Sequence, residues 1–418
     1  MAREMKNSGV EWFGEIPIKW RVEKIDAQFS LRTQKVNDVD FPPLSVTKKG
    51  ILPQLENVAK TNAHDSRKLV KIGDFAINSR SDRRGSCGIS EYEGSVSLIN
   101  TVLKPNSNNI SKYLDWLFHT IEFADEFYRW GHGIVDDLWT TNWSDMKKIS
   151  IPIPPLEEQK DISNFLDKKC SEIDSLTADI EKQISLLEDY KKSIITEAVT
   201  KGLNPNVEMK DSGIEWIGKI PKHWKISKLK YLIQVNNTKS SNNEYKYVGL
   251  ENVIGWAGKL VDDTNMSESE FVLESSSNKA KKGDVLFGKL RPYLGKVFIS
   301  EENIICSTEF LIMRPVDIEG KYLKLLFLSR DLVNVIDRST YGTKMPRANS
   351  SFILNQYIPI PNTQEQNEIS AFLDKKCSEI DSLISDKKEQ LEKLTSYKQS
   401  MIYEYVTGKK EVPTQEIA

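Results

Sequence analysis

The sequence predicts an α+β fold. It has two globular domains, each a mixed, largely antiparallel sheet with helices, separated by two long antiparallel coiled-coil helices and related by a pseudo-two-fold internal repeat. Three observations carry this prediction. The twelve residues FLDKKCSEIDSL occur twice, at 165–176 and 372–383. Each copy lies in a long segment whose apolar residues recur every seventh position. Between these segments the apolar runs are short and punctuated by turns, as in strands rather than long helices.

The chain has 418 residues, enough for about two to four domains. Its repeat is half the molecule long, too long for a solenoid unit. The frame of the repeat extends beyond the twelve residues. SGVEWFGEIPIKW at 8–20 matches SGIEWIGKIPKHW at 212–224, and IPIP at 151–154 matches IPIP at 358–361. KIGDF at 71–75 echoes KKGDV at 281–285. The organisation predicted is a first globular domain over 1–155, a helix over 156–202, a second domain over 203–362, a helix over 363–408, and a tail over 409–418.

In the first globular domain GDFAIN, SVSLINTVL and IVDDLW read as strands, and YLDWLFHTIEFADEFYR at 113–129 as helix. In the second, GDVLFGKL, GKVFISE and TEFLIMRP read as strands, with a helix over 322–337. The four tryptophans Trp12, Trp20, Trp216 and Trp224 recur at matching places. That recurrence points to packing of each globular domain against the helices rather than to base stacking.

The first helix places Leu166, Ile173, Ile180, Leu187 and Ile194 at seven-residue intervals. The second places Leu373, Ile380, Leu394 and Met401 on the same stripe, with Lys387 the one interruption. Ile162, Leu176 and Tyr190, and in the second copy Ile369, Leu383 and Tyr397, occupy companion positions and complete a predicted seam. Pro154-Pro155 followed by Glu157-Glu158 starts the first helix, with acids near the positive end of its dipole. Thr363 and Gln366 fit a capping box for the second. Gly202 and Gly408 stand where left-handed caps belong. Each stripe needs cover, and each helix is the simplest partner for the other.

The formal net charge is −2, but it is unevenly spread. Residues 1–150 carry +1 and 202–362 carry +4, whereas 156–201 carry −4 and 363–418 carry −3. The globular parts therefore lean toward an anionic partner. Cys87, Cys170, Cys306 and Cys377 form no metal-spaced pair and read as small buried hydrophobes. No apolar run of membrane-spanning length and no apolar leader occurs, so a cytoplasmic location is expected.

The paired Trp-rich motifs, the paired IPIP-[PN]-x-x-E-Q motifs at 151–159 and 358–366, and the paired FLDKKCSEID helices occur in this order twice. On these residues the chain resembles the specificity subunit of type I restriction–modification systems, over nearly its whole length. The resemblance implies two target recognition domains, each reading one half of a bipartite double-stranded DNA target. It implies that the helices set the spacer and dock two methyltransferase (modification) subunits for adenine methylation. Restriction (helicase-nuclease) subunits would join for cleavage. S-adenosylmethionine, Mg and ATP are then expected only in those partners.

Candidate DNA-binding residues follow from loop chemistry. Ser79, Arg80, Ser81, Asp82, Arg83 and Arg84 lie in NSRSDRRGS after a predicted strand. Arginine can fork onto guanine or phosphate, and Ser or Asp can orient it or accept from a base. The matching stretch GKLRPYLGK supplies Lys289, Arg291, Tyr293 and Lys296. The loop at 340–351 adds Lys344, Arg347 and Asn349. Its counterpart at 129–143 carries Asp136 and Asp137.

No catalytic, cofactor or metal motif is present. The Pro-Pro pairs lack the Asn/Asp-Pro-Pro-aromatic pattern, GHGIVD lacks a third glycine, and no phosphate-loop signature occurs. Asp167-Lys168-Lys169 and its copy at 374–376 read as helix surface. All four histidines stand alone. A non-catalytic subunit is expected, with activity in its partners. The competing reading is a coiled-coil adaptor whose two globular domains bind proteins rather than DNA.

Overall fold

The computed structural model describes residues 3–54, 66–106, 111–133, 139–240, 245–261, 277–342 and 344–413. Contacts divide the chain into two compact units, residues 1–180 with 389–418, and residues 181–388. Each unit is a globular domain plus part of both long helices, which run over Leu156–Lys201 and Thr363–Val406. The predicted strand at 134–139 lies outside the described residues apart from Trp139.

In the first unit a four-stranded antiparallel sheet has the order Cys87–Ile89, Phe75–Asn78, Asn100–Pro105, Phe29–Leu31. A three-stranded sheet of Gly94–Ser97, Arg67–Val70 and Lys35–Val36 lies in the same domain. The stretch 95–103 is thus two strands, broken by a turn at Leu98-Ile99. The predicted helix at 113–129 is also two, Ser111–Phe118 and Ile121–Arg129. The break falls at Thr120, whose hydroxyl accepts from the Phe123 amide and caps the second piece.

The second unit repeats the plan. Its main sheet has the order Ile233–Val235, Phe310–Pro315, Val285–Gly288, Val297–Ile299. Ser329 splits the predicted helix at 322–337 into Gly320–Leu326 and Arg330–Arg338, accepting from the Leu332 amide. In both domains the IPIP segment is a strand. Ser150–Ile153 pairs with Arg21–Lys24, and Tyr357–Ile360 pairs with Lys225–Lys228.

Within each unit the helix segments run antiparallel. Asp174 pairs with Lys398 at 2.5 Å in the first unit, and Lys191 pairs with Asp381 at 2.6 Å in the second. The internal repeat maps one pair onto the other, so the repeat holds down to single ion pairs. On the predicted seam Leu166, Ile180, Leu373, Ile380 and Met401 are buried, and Ile173, Leu187, Ile194 and Leu394 are half-buried.

The companion positions divide. Ile162 and Ile369 are buried, but Leu176, Tyr190, Leu383 and Tyr397 are exposed, contrary to the sequence expectation. A two-helix pair covers one stripe of each helix. Ile162 and Ile369 are covered because they sit in the cores of the globular domains, and the remainder of that stripe faces outward.

The helix starts also differ from expectation. The carboxamide oxygen of Asn362 accepts from the Glu365 amide at 2.9 Å, so Asn362 rather than Thr363 is the cap. Gln366 instead reaches back to the Pro361 carbonyl at 3.0 Å, as Gln159 does to Pro154 at 3.0 Å. This explains the Glu-Gln ending of the repeated IPIP motif. Gly202 and Gly408 take φ of +76° and +73°, as left-handed caps require. A Cβ at Gly408 would meet the Pro17 ring at 2.5 Å and Trp20 at 3.0 Å, so close packing demands glycine there too.

Candidate nucleic-acid interface

The repeated tryptophans are structural. Trp20 is buried and its indole N–H donates to Glu158 at 2.8 Å, while Trp224 is buried and donates to Glu365 at 3.3 Å. Trp12 donates to the Ser150 carbonyl at 3.1 Å. These rings join the start of one long helix to the IPIP strand and to the end of the other, and Trp20 and Trp224 have no face left for a base.

The candidate DNA-contact loops occupy matching places. Residues 79–86 connect Phe75–Asn78 to Cys87–Ile89 and contain a 3-10 turn at Ser81–Arg83. Residues 289–296 connect Val285–Gly288 to Val297–Ile299 and contain a 3-10 turn at Pro292–Leu294. Each is the hairpin connection at the end of the sheet's central strand, where backbone pairing stops and side chains can turn outward.

The structure joins each loop to a second one that sequence placed about sixty residues away. Arg80 bridges Thr140, Thr140 bridges His132, and the Thr141 amide donates to the Ser79 carbonyl at 3.0 Å. In the second domain Leu290 bridges Arg347, Arg347 bridges Tyr341, and the Ala348 amide donates to the Lys289 carbonyl at 3.0 Å. The same backbone network recurs with different side chains on it. Each domain thus presents one composite platform built from two loops.

On the first platform Arg80, Asp82, Arg83 and Arg84 are exposed. The Arg84 guanidinium lies over the Tyr128 ring, 5.0 Å from its centroid, and pairs with Asp125. Trp139 stacks on the same tyrosine at 5.6 Å and donates to its carbonyl at 2.9 Å. Arg84 is therefore held in one orientation, whereas Arg83 is exposed and lies 3.5 Å from Asp82. Ser79 is buried, its hydroxyl 2.9 Å from that of Thr101. Ser81 lies in the 3-10 turn.

On the second platform Arg291, Tyr293, Lys344, Arg347 and Asn349 are exposed. Arg347 pairs with Glu309. Lys289 is half-buried between these groups, and burial lowers its pKa, with Glu309 opposing that effect. The Lys296 ammonium donates to the Leu250 carbonyl at 2.6 Å. Asn349 caps a short helix, accepting from the Ser351 amide at 2.8 Å. Arg291 has φ +50° ahead of Pro292, a left-handed conformation held by its amide donating to the Pro346 carbonyl at 2.7 Å.

Sequence reasoning missed Tyr128, Asp125 and Trp139, which fix Arg84, and Glu309, which fixes Arg347. Neither pair of segments shares a motif, and only the loop pairing brings them together. Asp136 and Asp137 lie outside the described residues. Among the described residues no group of three or more His, Cys, Asp or Glu side chains is placed to hold a metal, and no helix is long and apolar enough to cross a membrane.

Comparison with known proteins agrees on one family. A family profile described as the type I restriction modification DNA specificity domain matches residues 46–186 and 221–393. The chain is 28% identical over 333 residues to the type I restriction enzyme MjaVIII specificity subunit of Methanocaldococcus jannaschii, covering 75% of this chain and 74% of that one. It is 24% identical over 428 residues to the putative MjaX specificity subunit of the same organism, covering 96% of each. Among solved structures, a chain from work on complex assembly and conformational transition of the type I R-M system superposes with a TM-score of 0.69. That match has 15% identity, covers 94% of this chain and 99% of that chain, and speaks for the fold.

Proposed function

This chain belongs to the type I restriction–modification DNA specificity family, and from that premise we propose that it is the DNA-reading subunit of a type I restriction–modification complex in which each globular domain reads one half of a bipartite target. The observation that carries this reading is the pair of composite platforms. They share one backbone network, 80 to 140 and 290 to 347, yet carry unlike side chains. An equal frame with unequal contents lets a pseudo-symmetric molecule read an asymmetric sequence, and fixed half-site spacing is a geometric property of a protein.

Arg80, Arg83, Arg84, Arg291, Lys344 and Arg347 are the side chains suited to meet phosphates and guanines. Arg84 and Arg347, each anchored by a carboxylate, suit directional base contacts. Arg83 and Lys344, extended into solvent, suit phosphates. Ser79, Lys296 and Asn349 hold the platforms in shape.

The exposed stripe of Leu176 and Tyr397 in the first unit, and of Leu383 and Tyr190 in the second, gives each unit an apolar surface at a corresponding place. These surfaces dock two modification subunits, which supply S-adenosylmethionine chemistry on adenine. Restriction subunits with Mg and ATP supply cleavage. The specificity chain contributes position, not chemistry. The protein-binding adaptor reading explains neither the arginine-bearing platforms nor the family membership.

The test is sequencing that detects methylated adenine in a methylation-free host expressing the cognate modification subunit with or without this chain. Methylation at one split motif, seen only with this chain, is expected. Replacing residues 1–150 by those of a relative should change one half of the motif and leave the other. Methylation at the same sites without the chain would overturn the reading.

A further inference from the structure

The repeated dodecapeptide is identical in sequence but not in environment. Phe165 is 7% exposed, whereas its copy Phe372 is 36% exposed. Cys170 is buried and Cys377 is half-buried. Identical residues can differ in burial only through what faces them. In the first unit the Tyr405 ring packs on Phe165 with centroids 4.5 Å apart, and Met401 is buried in the same cluster.

The facing helix segments align as YKQSMIYEYVT at 397–407 and YKKSIITEAVT at 190–200. Ala198 therefore stands where the repeat has Tyr405, and Ile194 where it has Met401. In the second unit the result is an open cleft of about 540 Å³, lined by Tyr190, Ile194, Ala198, Leu203, Met209 and Phe372. The cleft is open to solvent, with Ser193, Glu197 and Lys201 on its polar side, and its volume is ample for an aromatic ring laid against the apolar side.

We propose that this cleft receives an aromatic side chain from one modification subunit, so that the two helical docking surfaces bind their partners unequally. The occupant is read from the chain itself, since the equivalent surface of the first unit is already filled by an aromatic ring from the facing helix. The cleft is continuous with the exposed stripe through Tyr190. A large aromatic seated in a pocket at an interface has the character of a binding hot spot. The subunit docked on the second unit gains this anchor. The one docked on the first unit meets a surface that Tyr405 has closed. Assembly then proceeds in order, second unit first.

This inference rests on the reading that the helices dock modification subunits. The experiment titrates the full-length chain with its cognate modification subunit and follows 1:1 and 2:1 complexes by native mass spectrometry. Wild type should show two steps separated by about thirty-fold, the size of a hot-spot contribution. Ala198→Tyr copies the first unit and should bring the tighter step into line with the weaker one. Phe372→Ala, at a half-exposed position, should do the same by removing a wall of the cleft. The weaker step, on the first unit, should survive in both variants and reports that the chain is folded. Two equal steps in wild type, or a tight step unchanged in both variants, would overturn the inference alone. A wild-type chain that binds no modification subunit would overturn the docking reading beneath it.

Discussion

The hydroxyl of Tyr113 donates to the carbonyl oxygen of Val406 at 2.8 Å, across 293 residues of chain. It also lies 3.0 Å from the Pro152 carbonyl, so one proton ties the IPIP strand to the end of the second long helix. Tyr322 repeats the arrangement in the other unit, with the carbonyls of Val199 at 3.0 Å and Pro359 at 3.2 Å. The last carbonyls of a helix have no partner within it, and these two hydroxyls supply one.

Replacing Tyr113 or Tyr322 by Phe should cost about 1 kcal/mol each, the usual net value of a buried hydrogen bond. Urea denaturation would measure it. Burial, aided by Glu158 and Glu365 respectively, pushes both hydroxyls well above their ordinary value of 10. A group whose pKa is raised on folding stabilises fully below its unfolded value and loses that contribution as pH rises. Wild type should therefore weaken above pH 10, and the double Phe variant should weaken less steeply. Equal slopes would show that these hydroxyls are not the titrating groups.

Each domain also buries one carboxylate under an arginine taken from a different strand. Asp74 accepts from Arg32 at 2.5 and 2.8 Å, just past the edge strand, and from the Lys71 amide at 2.8 Å. Asp284 accepts from Arg314 at 2.9 and 3.0 Å, on an inner strand, and from the Lys281 amide at 2.9 Å. Asp74→Ala should cost about 3 kcal/mol because it removes three hydrogen bonds to a buried carboxylate and leaves the half-buried Arg32 guanidinium without it. Asp284→Ala should cost less, since Arg314 is more exposed than Arg32. Asp74→Ala combined with Arg32→Met should recover much of the loss. Thermal melts of the three variants decide the order.

Arg291 occupies a left-handed conformation that disfavours any residue with a Cβ, and the following proline narrows its choices further. Arg291→Gly should stabilise the chain by about 1 kcal/mol while weakening DNA binding. The opposite signs of the two effects are the diagnostic. A variant that is both more stable and equally tight on DNA would remove Arg291 from the interface.

The architecture was legible in the sequence because its cues are redundant. The dodecapeptide, the tryptophans, IPIP and the capping glycines each recur at corresponding places in the two copies. The helix breaks at Thr120 and Ser329 were not legible, because a single hydroxyl cap outweighed a continuous apolar pattern. The exposure of Leu176 and Tyr190 was missed for a related reason. A heptad stripe states which residues want cover, not whether this chain or another provides it. The platforms were half legible. Each loop showed its arginines and lysines, but the pairing of Arg80 with Thr140, and of Leu290 with Arg347, depends on backbone geometry between distant segments.

That geometry sorts the candidate DNA-contact residues into two groups with different expected behaviour. Arg83 and Lys344 extend from the platforms, whereas Ser79 is buried against Thr101 and Lys296 is bound to the Leu250 carbonyl. A cation on a phosphate releases counterions, so its loss lowers the slope of log affinity against log salt by about one unit per contact. Arg83→Ala and Lys344→Ala, measured in the assembled complex, should each lower that slope and weaken target and non-target DNA alike. Ser79→Ala and Lys296→Ala should lower the melting temperature and leave the slope unchanged. Arg84→Ala should weaken the target more than non-target DNA, because Tyr128 and Asp125 hold its guanidinium for one direction of contact. If neither Arg83→Ala nor Lys344→Ala changes the slope, the platforms face away from the DNA.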